Sequence, residues 1–593
     1  MFLKKSVGNG RIYLSFVQGY RHNGKVKQKT VEKLGYLDDL QKIYLDPIAH
    51  FTKVARQRSV VPEEGLTVDI GKKLEDGANG RRNLGYVAVK RIYNMLDIDG
   101  FFQRKQRQLD VEYNLNKIFS LLVFNRFLFP SSKKKAFDER GVFFEKFDFS
   151  LDDVYRSLNH FSRYSQAIQM HLYSQVRKTI EVDNQLGYYD VTNYYFEIPY
   201  SDEDKYDDKG ELIEKGFRQK GPCKEHRPDP IVQMGLLMDS AGIPLAFDIF
   251  EGNQSEKTSL LPMVNRVKRD YEMDRIIVVA DRGLNTSDNT AFLAGVNDDD
   301  SNGYDGYVYG QSVLGADADF KAWTLDTRGY VTDIEIDNQP GSGRNGEPVS
   351  FTHKSRIFAK TVQLKNTKGK RKLKMTIYQK QLVYYSQKYA DKQKKDRERV
   401  LAKARDMIAN PQKYSQSTSH GAAGYVKNIK FVKETGEIAQ GVDLSLDLEK
   451  ITEEEKYDGY YAIVTSEKDM SDKQMRDTYS GLWEIEESFK IMKSEFCARP
   501  VFLQLRNHIN AHFLICFVAL LIMRVLQHMT DKRFSPKAIR DSLARYSCSH
   551  LDQNYYIFDY RDDFIKSIEH IFNIDLTNKF LTTSQIKNIL KNP

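Results

Sequence analysis

The sequence has few cysteines and lacks the motifs of disulfide-rich, zinc-binding and nucleotide-dependent proteins. It contains four cysteines in 593 residues, and these are scattered without the short spacings of a zinc site or a disulfide framework. We therefore expect a reducing compartment, the cytoplasm. No glycine-rich phosphate-binding loop occurs, so no nucleotide cofactor is expected. The amino terminus also lacks the pattern of a secretory signal.

Long hydrophobic runs are scarce as well. The strongest one, residues 513–523, is shorter than a bilayer requires and is flanked by His512 and Arg524. It predicts a buried core helix, and no membrane partner is expected. The overall content of 40% hydrophobic and 29% charged residues is typical of a soluble globular protein with several domains.

Positive charge is distributed unevenly along the chain. The formal net charge is +9, and residues 1–60 alone contain 12 Lys and Arg against 4 Asp and Glu. This stretch has strand-like runs at residues 13–17 and 25–33 around a turn at residues 22–24, which predicts a β-hairpin. Such a basic hairpin would either contact a polyanion such as DNA or only pack against the rest of the protein.

A segment around Glu486 has the pattern of a helix with one polar face. Tyr479, Glu486 and Lys493 are seven residues apart, and seven steps of about 100° return a helix to within about 20° of its start. Apolar residues recur beside this face at spacings of three and four, which predicts a buried side. This geometry favours Glu486, at the edge of the apolar stripe, and places Glu484 and Glu495 toward solvent. An ordinary amphipathic helix with charged flanks would show the same spacing.

Two aspartates lie in strand-like runs upstream of this segment. Residues 276–280 form an apolar run that ends at Asp281, as when a buried strand delivers a carboxylate to the edge of an α/β sheet. Asp190 lies within the aromatic and β-branched run 188–196, where a carboxylate is costly unless something binds it. Each aspartate alone is compatible with a cap or an ion pair. Together with Glu486 they predict a site for two Mg²⁺ ions, which Mn²⁺ can replace, of the kind used in phosphoryl transfer.

The runs near the aspartates predict the order of a sheet. Strand-like runs at residues 231–239 and 244–250 are joined by a turn, a helix is expected at residues 255–271, and a further strand at residues 306–311. Strand, strand, strand, helix, strand is the order of a ribonuclease-H-like core. We therefore expect an α/β fold with a ribonuclease-H-like catalytic core, a β-rich insertion and flanking helical regions.

The interval between Asp281 and Glu486 is about two hundred residues, which is too long for a loop and predicts an inserted structure. Residues 354–380 contain ten basic and no acidic residues in two alternating arms, which predicts a positively charged β-ribbon. Candidate DNA-binding residues near its turn are Lys370, Arg371 and Lys372. The same lysines would also protect a solvated edge strand. A long charged helix predicted at residues 385–409 is more typical of a scaffold than of a DNA reader.

The chain divides into six predicted regions. In the region 83–181 the helices would either read DNA in the manner of a helix-turn-helix module or support the core as a plain bundle, since no recognition helix stands out. The regions are a basic β-hairpin region at 1–60, a helical DNA-binding or support domain at 83–181, the first part of the core at 184–312, a β-rich insertion with a long helix at 313–455, the last core strand with the Glu486 helix at 456–500, and a C-terminal helical region suited to dimerisation at 501–593.

These motifs resemble those of a known family. Tyr479, Glu486 and Lys493 match the spacing Y-x2-R-x3-E-x6-K of the YREK-type insertion-sequence transposases, the insertion-sequence-four-like branch of the DDE transposases. The segments around Asp190 and Asp281 resemble those that hold the first two catalytic aspartates of that family. The similarity extends along most of the chain.

One position departs from the family pattern. Leu482 stands where the family has arginine, so the phosphate contact of that arginine would be missing or supplied by Lys490 or Arg476. The resemblance also suggests that Trp483 stacks on a flipped base, as in related enzymes, although packing in a core or an interface is the more common role for a tryptophan.

The resemblance implies a bacterial transposase that binds terminal inverted repeats, cleaves DNA and transfers the cut strand to a target. Asp190, Asp281 and Glu486 would then be both catalytic and metal-binding. Tyr479, Lys490 and Lys493 would hold DNA phosphates near the metal ions. The last candidate DNA contact is Arg282. The implied partner is double-stranded DNA, as transposon ends and as target, bound by a homodimer in the nucleoid of the cytoplasm.

Two other functions are compatible with these residues. The first is a stand-alone ribonuclease-H-like nuclease, which cleaves without joining and would need neither a basic insertion nor large helical flanks. The second is an inactive descendant that only binds DNA as a regulator. Leu482 is compatible with that loss of activity, whereas the three intact carboxylates argue against it.

Overall fold

The computed structural model describes the chain in two compact units, residues 1–79 with 550–555 and residues 80–549 with 556–593. We call them the N-terminal unit and the large unit. The description covers all residues except 9, 23–24, 45, 59–72, 74–79, 181–184, 224, 226, 295–304, 337–347, 365–372, 416–418, 420, 433–436, 440–442, 552–553 and 592–593.

The N-terminal unit is built on an antiparallel sheet of three strands, β1 (Phe2–Gly8), β2 (Arg11–His22) and β3 (Lys25–Tyr36). Two helices follow, α1 (Leu37–Leu40) and α2 (Pro47–Arg58). The predicted hairpin corresponds to β2 and β3. Strand β1 was not predicted, because its sequence, FLKKSVG, lacks the alternation of apolar and polar residues that a half-buried strand shows.

The large unit begins with helices that bury apolar residues. Helix α5 (Leu115–Leu128) is apolar on almost every side and is accordingly buried along most of its length. Two helices separated at Tyr164 occupy residues 151–176, and the first of them begins with a capping box between Ser150 and Asp153. The elements are β4 (Arg81–Asn83), α3 (Tyr86–Met95), α4 (Ile98–Gln106), α5 (Leu115–Leu128), α6 (Lys133–Asp138), α7 (Leu151–Arg163) and α8 (Ser165–Val176).

A mixed sheet of nine strands forms the centre of the large unit, and the protein is therefore a mixed α/β protein. The elements in this part of the chain are β5 (Leu186–Tyr195), β6 (Lys205–Tyr206), β7 (Leu212–Glu214), β8 (Ile231–Met238), β9 (Pro244–Glu251), α9 (Leu260–Tyr271), β10 (Ile277–Ala280), α10 (Ser287–Leu293), β11 (Gly306–Gln311), α11 (Ala318–Leu325), β12 (Val331–Ile336), β13 (Pro348–Leu364), β14 (Leu373–Tyr385), α12 (Gln387–Ala409), β15 (Val426–Lys427), β16 (Ser445–Leu446), α13 (Leu448–Glu455) and β17 (Tyr460–Thr465).

The strand order of this sheet is β12-β13-β14-β17-β11-β10-β5-β8-β9. Strands β5, β10 and β11 are parallel to one another, and every other neighbouring pair is antiparallel. Within the predicted insertion, only β15 and β16 form a separate sheet among the described residues. Its strands β12 to β14 join the edge of the central sheet through β17, because β17 pairs with β11 on one side and with β14 on the other.

The remaining part of the chain contains a long apolar helix, α16 (Arg506–Met529). That helix has the length and composition of a membrane span, but 94% of its most apolar window is buried inside the large unit, as in a core helix. The C-terminal region was expected to be helical and also contains a small sheet, β20-β19-β18-β4. The elements are α14 (Asp472–Ser480), α15 (Trp483–Lys490), a π-helical turn (Ile491–Glu495), α16 (Arg506–Met529), α17 (Pro536–Arg545), β18 (Ser547–His550), β19 (Tyr555–Phe558), α18 (Asp563–Phe572), β20 (Phe580–Thr582) and α19 (Thr583–Lys591).

Candidate active site

Two neighbouring parallel strands bring Asp190 and Asp281 to the same level of the sheet. Tyr188 on β5 is in register with Val279 on β10, and each aspartate lies two residues further along its strand direction. Asp281 keeps an extended backbone (φ −70°, ψ 164°), so this register continues. Because side chains alternate along a strand and paired strands lie about 4.8 Å apart, the two carboxylates are adjacent on one face.

Asp281 is exposed and has two donors. Its Oδ1 atom accepts a hydrogen bond of 3.2 Å from the Tyr479 hydroxyl and one of 2.7 Å from the backbone N–H of Arg282. Burial, together with the adjacent Asp281 carboxylate, raises the pKa of Tyr479 well above its usual range, so the phenol stays protonated and donates. Gly310 on β11 makes room for this ring, since a Cβ there would lie 2.4 Å from the Tyr479 hydroxyl oxygen.

The segment predicted as one helix from Tyr479 to Lys493 is broken. Helix α14 ends at Ser480, α15 begins at Trp483, and Lys493 lies in the π-helical turn. At the break, Gly481 lies against Tyr188, where a Cβ would be 2.4 Å from the tyrosine oxygen, and the Tyr188 hydroxyl donates to the carbonyl of Thr478 at 2.8 Å. Since Tyr188 shares a face of β5 with Asp190, this contact fixes the helix pair over the face that carries the aspartates.

Three of the four glutamates between Tyr479 and Glu495 are engaged in ion pairs. Glu484 was expected to face solvent but is buried, with Arg524 of α16 at 3.3 Å and Lys532 at 2.5 Å. Glu487 also pairs with Arg524, and Glu495, likewise expected in solvent, is mostly buried against Arg540. The remaining one, Glu486, is exposed, and within the described part of the chain its carboxylate has no hydrogen-bond or ion-pair partner.

The three predicted carboxylates do not form a closed cluster. Among the described residues, no three Asp, Glu, His or Cys side chains lie close enough to share a metal ion. The donor set nevertheless suits a hard divalent cation, because Asp281 and Glu486 are exposed and carboxylate oxygens are the ligands that Mg²⁺ prefers. The sheet register thus aligns two of the three predicted ligands, and the third lies on the helix pair above the same face.

Lys493 reaches the strand that carries Asp190. Its ammonium donates to Thr192 Oγ1 at 2.6 Å and lies 5.5 Å from the centre of the Tyr194 ring. Thr192 is two residues after Asp190 and therefore on the same face of β5. A positive charge is thus placed beside the first predicted catalytic aspartate.

The other predicted DNA contacts are placed less uniformly. Lys490 and Arg282 are exposed, and Trp483 is 45% exposed with the Lys532 ammonium 6.0 Å from its ring centre, so it is not a core residue. Leu482 packs against the large hydrophobic core, and Arg476 lies over the Phe351 ring at 4.3 Å and beside Asp477. Candidates Lys370, Arg371 and Lys372 lie outside the described residues.

A cleft next to Asp281 contains aromatic residues that the sequence analysis did not single out. It has a volume of about 200 Å³ and is lined by Arg282 and by Tyr389, Tyr460 and Tyr461, among others. The rings of Tyr389 and Tyr461 are stacked at 3.8 Å. A tyrosine pair on β17 was visible in the sequence, but its position beside Asp281 depends on the pairing of β17 with β11.

One comparison with known families gives a match. Residues 3–62 match the sequence model of the N-terminal domain of IS1634 family transposases. This match supports an insertion-sequence transposase, and with it DNA binding. It covers about a tenth of the chain and does not reach Asp190, Asp281 or Glu486. No curated protein matches the sequence.

Proposed function

We propose that this protein is the transposase of a bacterial insertion sequence and that it uses DDE chemistry at the face formed by β5 and β10. The observation that carries the proposal is the alignment of Asp190 and Asp281 on neighbouring parallel strands, beneath the helix pair that bears Tyr479 and Glu486. Carboxylates at the ends of sheet strands are a common setting for catalytic sites. The family match of the N-terminal unit supports the same conclusion independently.

We further propose that the sheet centre is a ribonuclease-H-like core. Three antiparallel strands, a helix and a parallel strand follow one another as β5, β8, β9, α9 and β10, and β11 adds the next parallel strand. This is the order expected from the sequence. The YREK assignment is also a proposal, supported by the hydrogen bond from Tyr479 to Asp281 and by the position of Lys493 beside Thr192.

Asp190, Asp281 and Glu486 would hold two Mg²⁺ ions, or Mn²⁺ in their place. When bound, such ions stabilise the attacking and leaving oxygens of phosphoryl transfer. Tyr479 fixes one carboxylate of this set, since its hydroxyl donates to Asp281. Among the described residues, the Glu486 carboxylate has no hydrogen-bond or ion-pair partner. It would therefore be free to bind a metal ion together with the aspartates.

The proposed reaction has two steps at DNA phosphates. Hydrolysis at a transposon end frees a 3′-hydroxyl, and that hydroxyl then attacks a target phosphodiester and displaces its 3′-oxygen. Lys493, Lys490 and Arg282 would neutralise phosphates near the reacting bond. Lys493 donates to Thr192, whereas Arg282 directly follows Asp281 and Lys490 lies one helical turn after Glu486, and both of these are exposed. Trp483, being exposed, is available to stack on an unpaired base.

Joining requires both ends of the element, so we propose a homodimer assembled on DNA in the bacterial cytoplasm. A nuclease that only cleaves is the second candidate, and a DNA-binding regulator without activity is the third. Neither is favoured by a specific contact. The engagement of Glu484, Glu487 and Glu495 by basic residues, with Glu486 left unpaired among the described residues, favours an active enzyme.

A strand-transfer assay tests the proposal. The full-length protein is incubated with Mg²⁺, linear DNA carrying the inverted repeats that flank its gene, and a supercoiled target plasmid. A transposase yields covalent end–target joints, which Asp281→Asn abolishes. Cut ends without joints would instead establish the nuclease, and bound but uncut DNA would establish the regulator. The matched control is Asp288→Asn, since Asp288 is an exposed aspartate at the start of α10.

A further inference from the structure

Two cations beside the proposed active site converge on one carboxylate oxygen. The Lys493 ammonium lies 3.9 Å from Oε1 of Glu225, and the Arg499 guanidinium contacts the same oxygen. All three side chains are largely shielded, with exposed fractions of 15%, 25% and 27% for Lys493, Arg499 and Glu225. In this contact, one carboxylate oxygen therefore faces two positively charged groups.

This pocket adjoins the strand that carries Asp190. The Lys493 ammonium that faces Glu225 also donates to Thr192 Oγ1 at 2.6 Å. Thr192 follows Asp190 by two residues and shares its face of β5. The Arg499 guanidinium lies 5.7 Å from the centre of the Tyr195 ring, near the end of the same strand. The two cations that contact the Glu225 oxygen thus also contact residues of β5, the strand that carries Asp190.

The donors around that oxygen are those that bind phosphate. Guanidinium, ammonium and threonine hydroxyl groups supply most protein contacts to DNA phosphate oxygens, and charge-assisted hydrogen bonds of this kind are strong. A carboxylate oxygen is the nearest chemical equivalent of a phosphate oxygen in a protein. Glu225 lies in the connection between β7 and β8 and not within a strand or a helix, so its displacement leaves the sheet intact.

We propose that Lys493, Arg499 and Thr192 form a binding site for a DNA backbone phosphate, and that Glu225 occupies this site as a phosphate mimic when DNA is absent. The inference rests on the proposed function, because it places the phosphate at the DNA-cleaving face. It adds Arg499 as a DNA-binding residue and Glu225 as an internal competitor of DNA. Neither residue belongs to the YREK pattern.

The test is the salt dependence of DNA binding by the full-length protein. Dissociation constants are measured between 50 and 300 mM salt for two duplexes of equal length, with and without the inverted repeat. Arg499→Gln should reduce the slope of log K against log salt by up to about 0.9 and weaken binding by up to about eightfold at 0.1 M salt, where the upper limit is the loss of one whole phosphate contact. Both duplexes should weaken equally, since a phosphate carries no sequence information.

Glu225→Gln should act in the opposite direction and tighten binding severalfold. In the double variant Glu225→Gln/Arg499→Gln this gain should shrink, because the two residues share one contact. The ion pair of Arg540 with Glu495, 2.7 Å apart, provides matched controls with the same changes of charge. Arg540→Gln and Glu495→Gln should change binding less than their counterparts, and Arg499→Lys should keep most of the salt slope.

Three results would overturn the phosphate site: an unchanged salt slope in Arg499→Gln, weaker binding in Glu225→Gln, or a loss confined to the duplex with the repeat. Thermal unfolding of each variant separates misfolding from lost contacts, and the charge-conserving Arg499→Lys variant keeps the test valid if Arg499→Gln does not fold. Failure of this inference is distinct from failure of the proposed function. If the Arg499→Gln variant bound DNA with unchanged affinity and transferred strands at the wild-type rate, only the phosphate site would be refuted. If the wild-type protein itself transferred no strands, the proposed transposase function would be refuted.

Discussion

The N-terminal unit and the central sheet of the large unit carry different kinds of information. The N-terminal unit has a small core centred on Leu14, Leu37 and Leu40, and it is the part of the chain that matches a transposase family. The central sheet has no such match, yet its register aligns two carboxylates beneath a helix pair. The similarity to a known family thus lies in the N-terminal unit, whereas the proposed chemistry is inferred from the geometry of the large unit. The two regions should accordingly respond differently to substitution.

The largest effect on DNA cleavage is expected from substitution of the two aspartates of the central sheet. Asp190→Asn or Asp281→Asn should lower the rate of DNA cleavage by about a thousandfold or more, because a neutral amide is a poor ligand for divalent cations, yet leave DNA affinity within about twofold. Single-turnover cleavage and a binding titration on the same DNA measure the two effects. Equal losses of affinity and rate would show that these residues serve binding and not chemistry.

The N-terminal unit should show the reverse pattern. Lys27, Lys29 and Lys33 are exposed on β3. Replacing all three with Gln should weaken DNA binding by up to about five hundredfold at 0.1 M salt and flatten its salt dependence, since each lost phosphate contact removes about 0.9 from the slope. The cleavage rate of saturated complexes should not change. If the triple variant instead cleaved more slowly at saturating DNA while its DNA affinity stayed unchanged, the proposed division of roles between the two regions would be wrong.

Stability of the large unit should depend on pH through a buried lysine. Burial lowers the pKa of Lys133 to about 7, and its ammonium lies 2.8 Å from Nδ1 of His512, whose own pKa burial lowers well below its usual range. Between pH 7 and pH 10 the unfolded chain therefore binds a proton that the folded chain does not, so this residue makes stability rise with pH in that window.

Chemical unfolding of wild type and Lys133→Met at pH 7, 8 and 9 isolates this contribution. The wild type should gain about 2 kcal/mol relative to the variant between pH 7 and pH 9. The exposed pairs of Arg11 with Asp38 and Asp39 in the N-terminal unit should add little, as is usual for surface ion pairs. A difference that stays constant with pH would mean that Lys133 remains protonated in the folded protein.

The smallest effect is expected at Tyr479. Tyr479→Phe removes one hydrogen bond to Asp281, worth about 1 kcal/mol, and should slow cleavage roughly fivefold without changing DNA affinity. Tyr425→Phe is a suitable control, because that hydroxyl donates to Glu454, a carboxylate outside the proposed site. A loss in Tyr479→Phe comparable to that of Asp281→Asn would give the hydroxyl a direct part in the chemistry.

Local patterns predicted much of the central sheet. The apolar run before Asp281 is β10, and the two runs joined by a turn are β8 and β9, because the burial of short β-branched segments is visible in the sequence itself. The pairing of the insertion with the core was not visible. It depends on β17, which lies between β11 and β14, and pairings between distant segments leave no local pattern.

The candidate site shows the same limit. The spacing of Tyr479, Glu486 and Lys493 is meaningful, but the helix break at Gly481 arises from a contact with Tyr188, almost three hundred residues earlier. Burial of Glu484 likewise depends on Arg524, which lies on a different helix. Helical phase alone therefore predicted that Glu484 faces solvent. In the structure it is buried, because it forms an ion pair with Arg524 of α16.

The most direct test of the central claim is a cleavage assay on DNA bearing the inverted repeats that flank the gene. Wild type and Glu486→Gln are compared in Mg²⁺ and in EDTA, with Glu487→Gln as the control on the same helix. The account predicts nicks at the repeat ends by wild type and by Glu487→Gln in Mg²⁺ only, and none by Glu486→Gln. Equal cutting by wild type and Glu486→Gln would contradict the assignment of the third carboxylate.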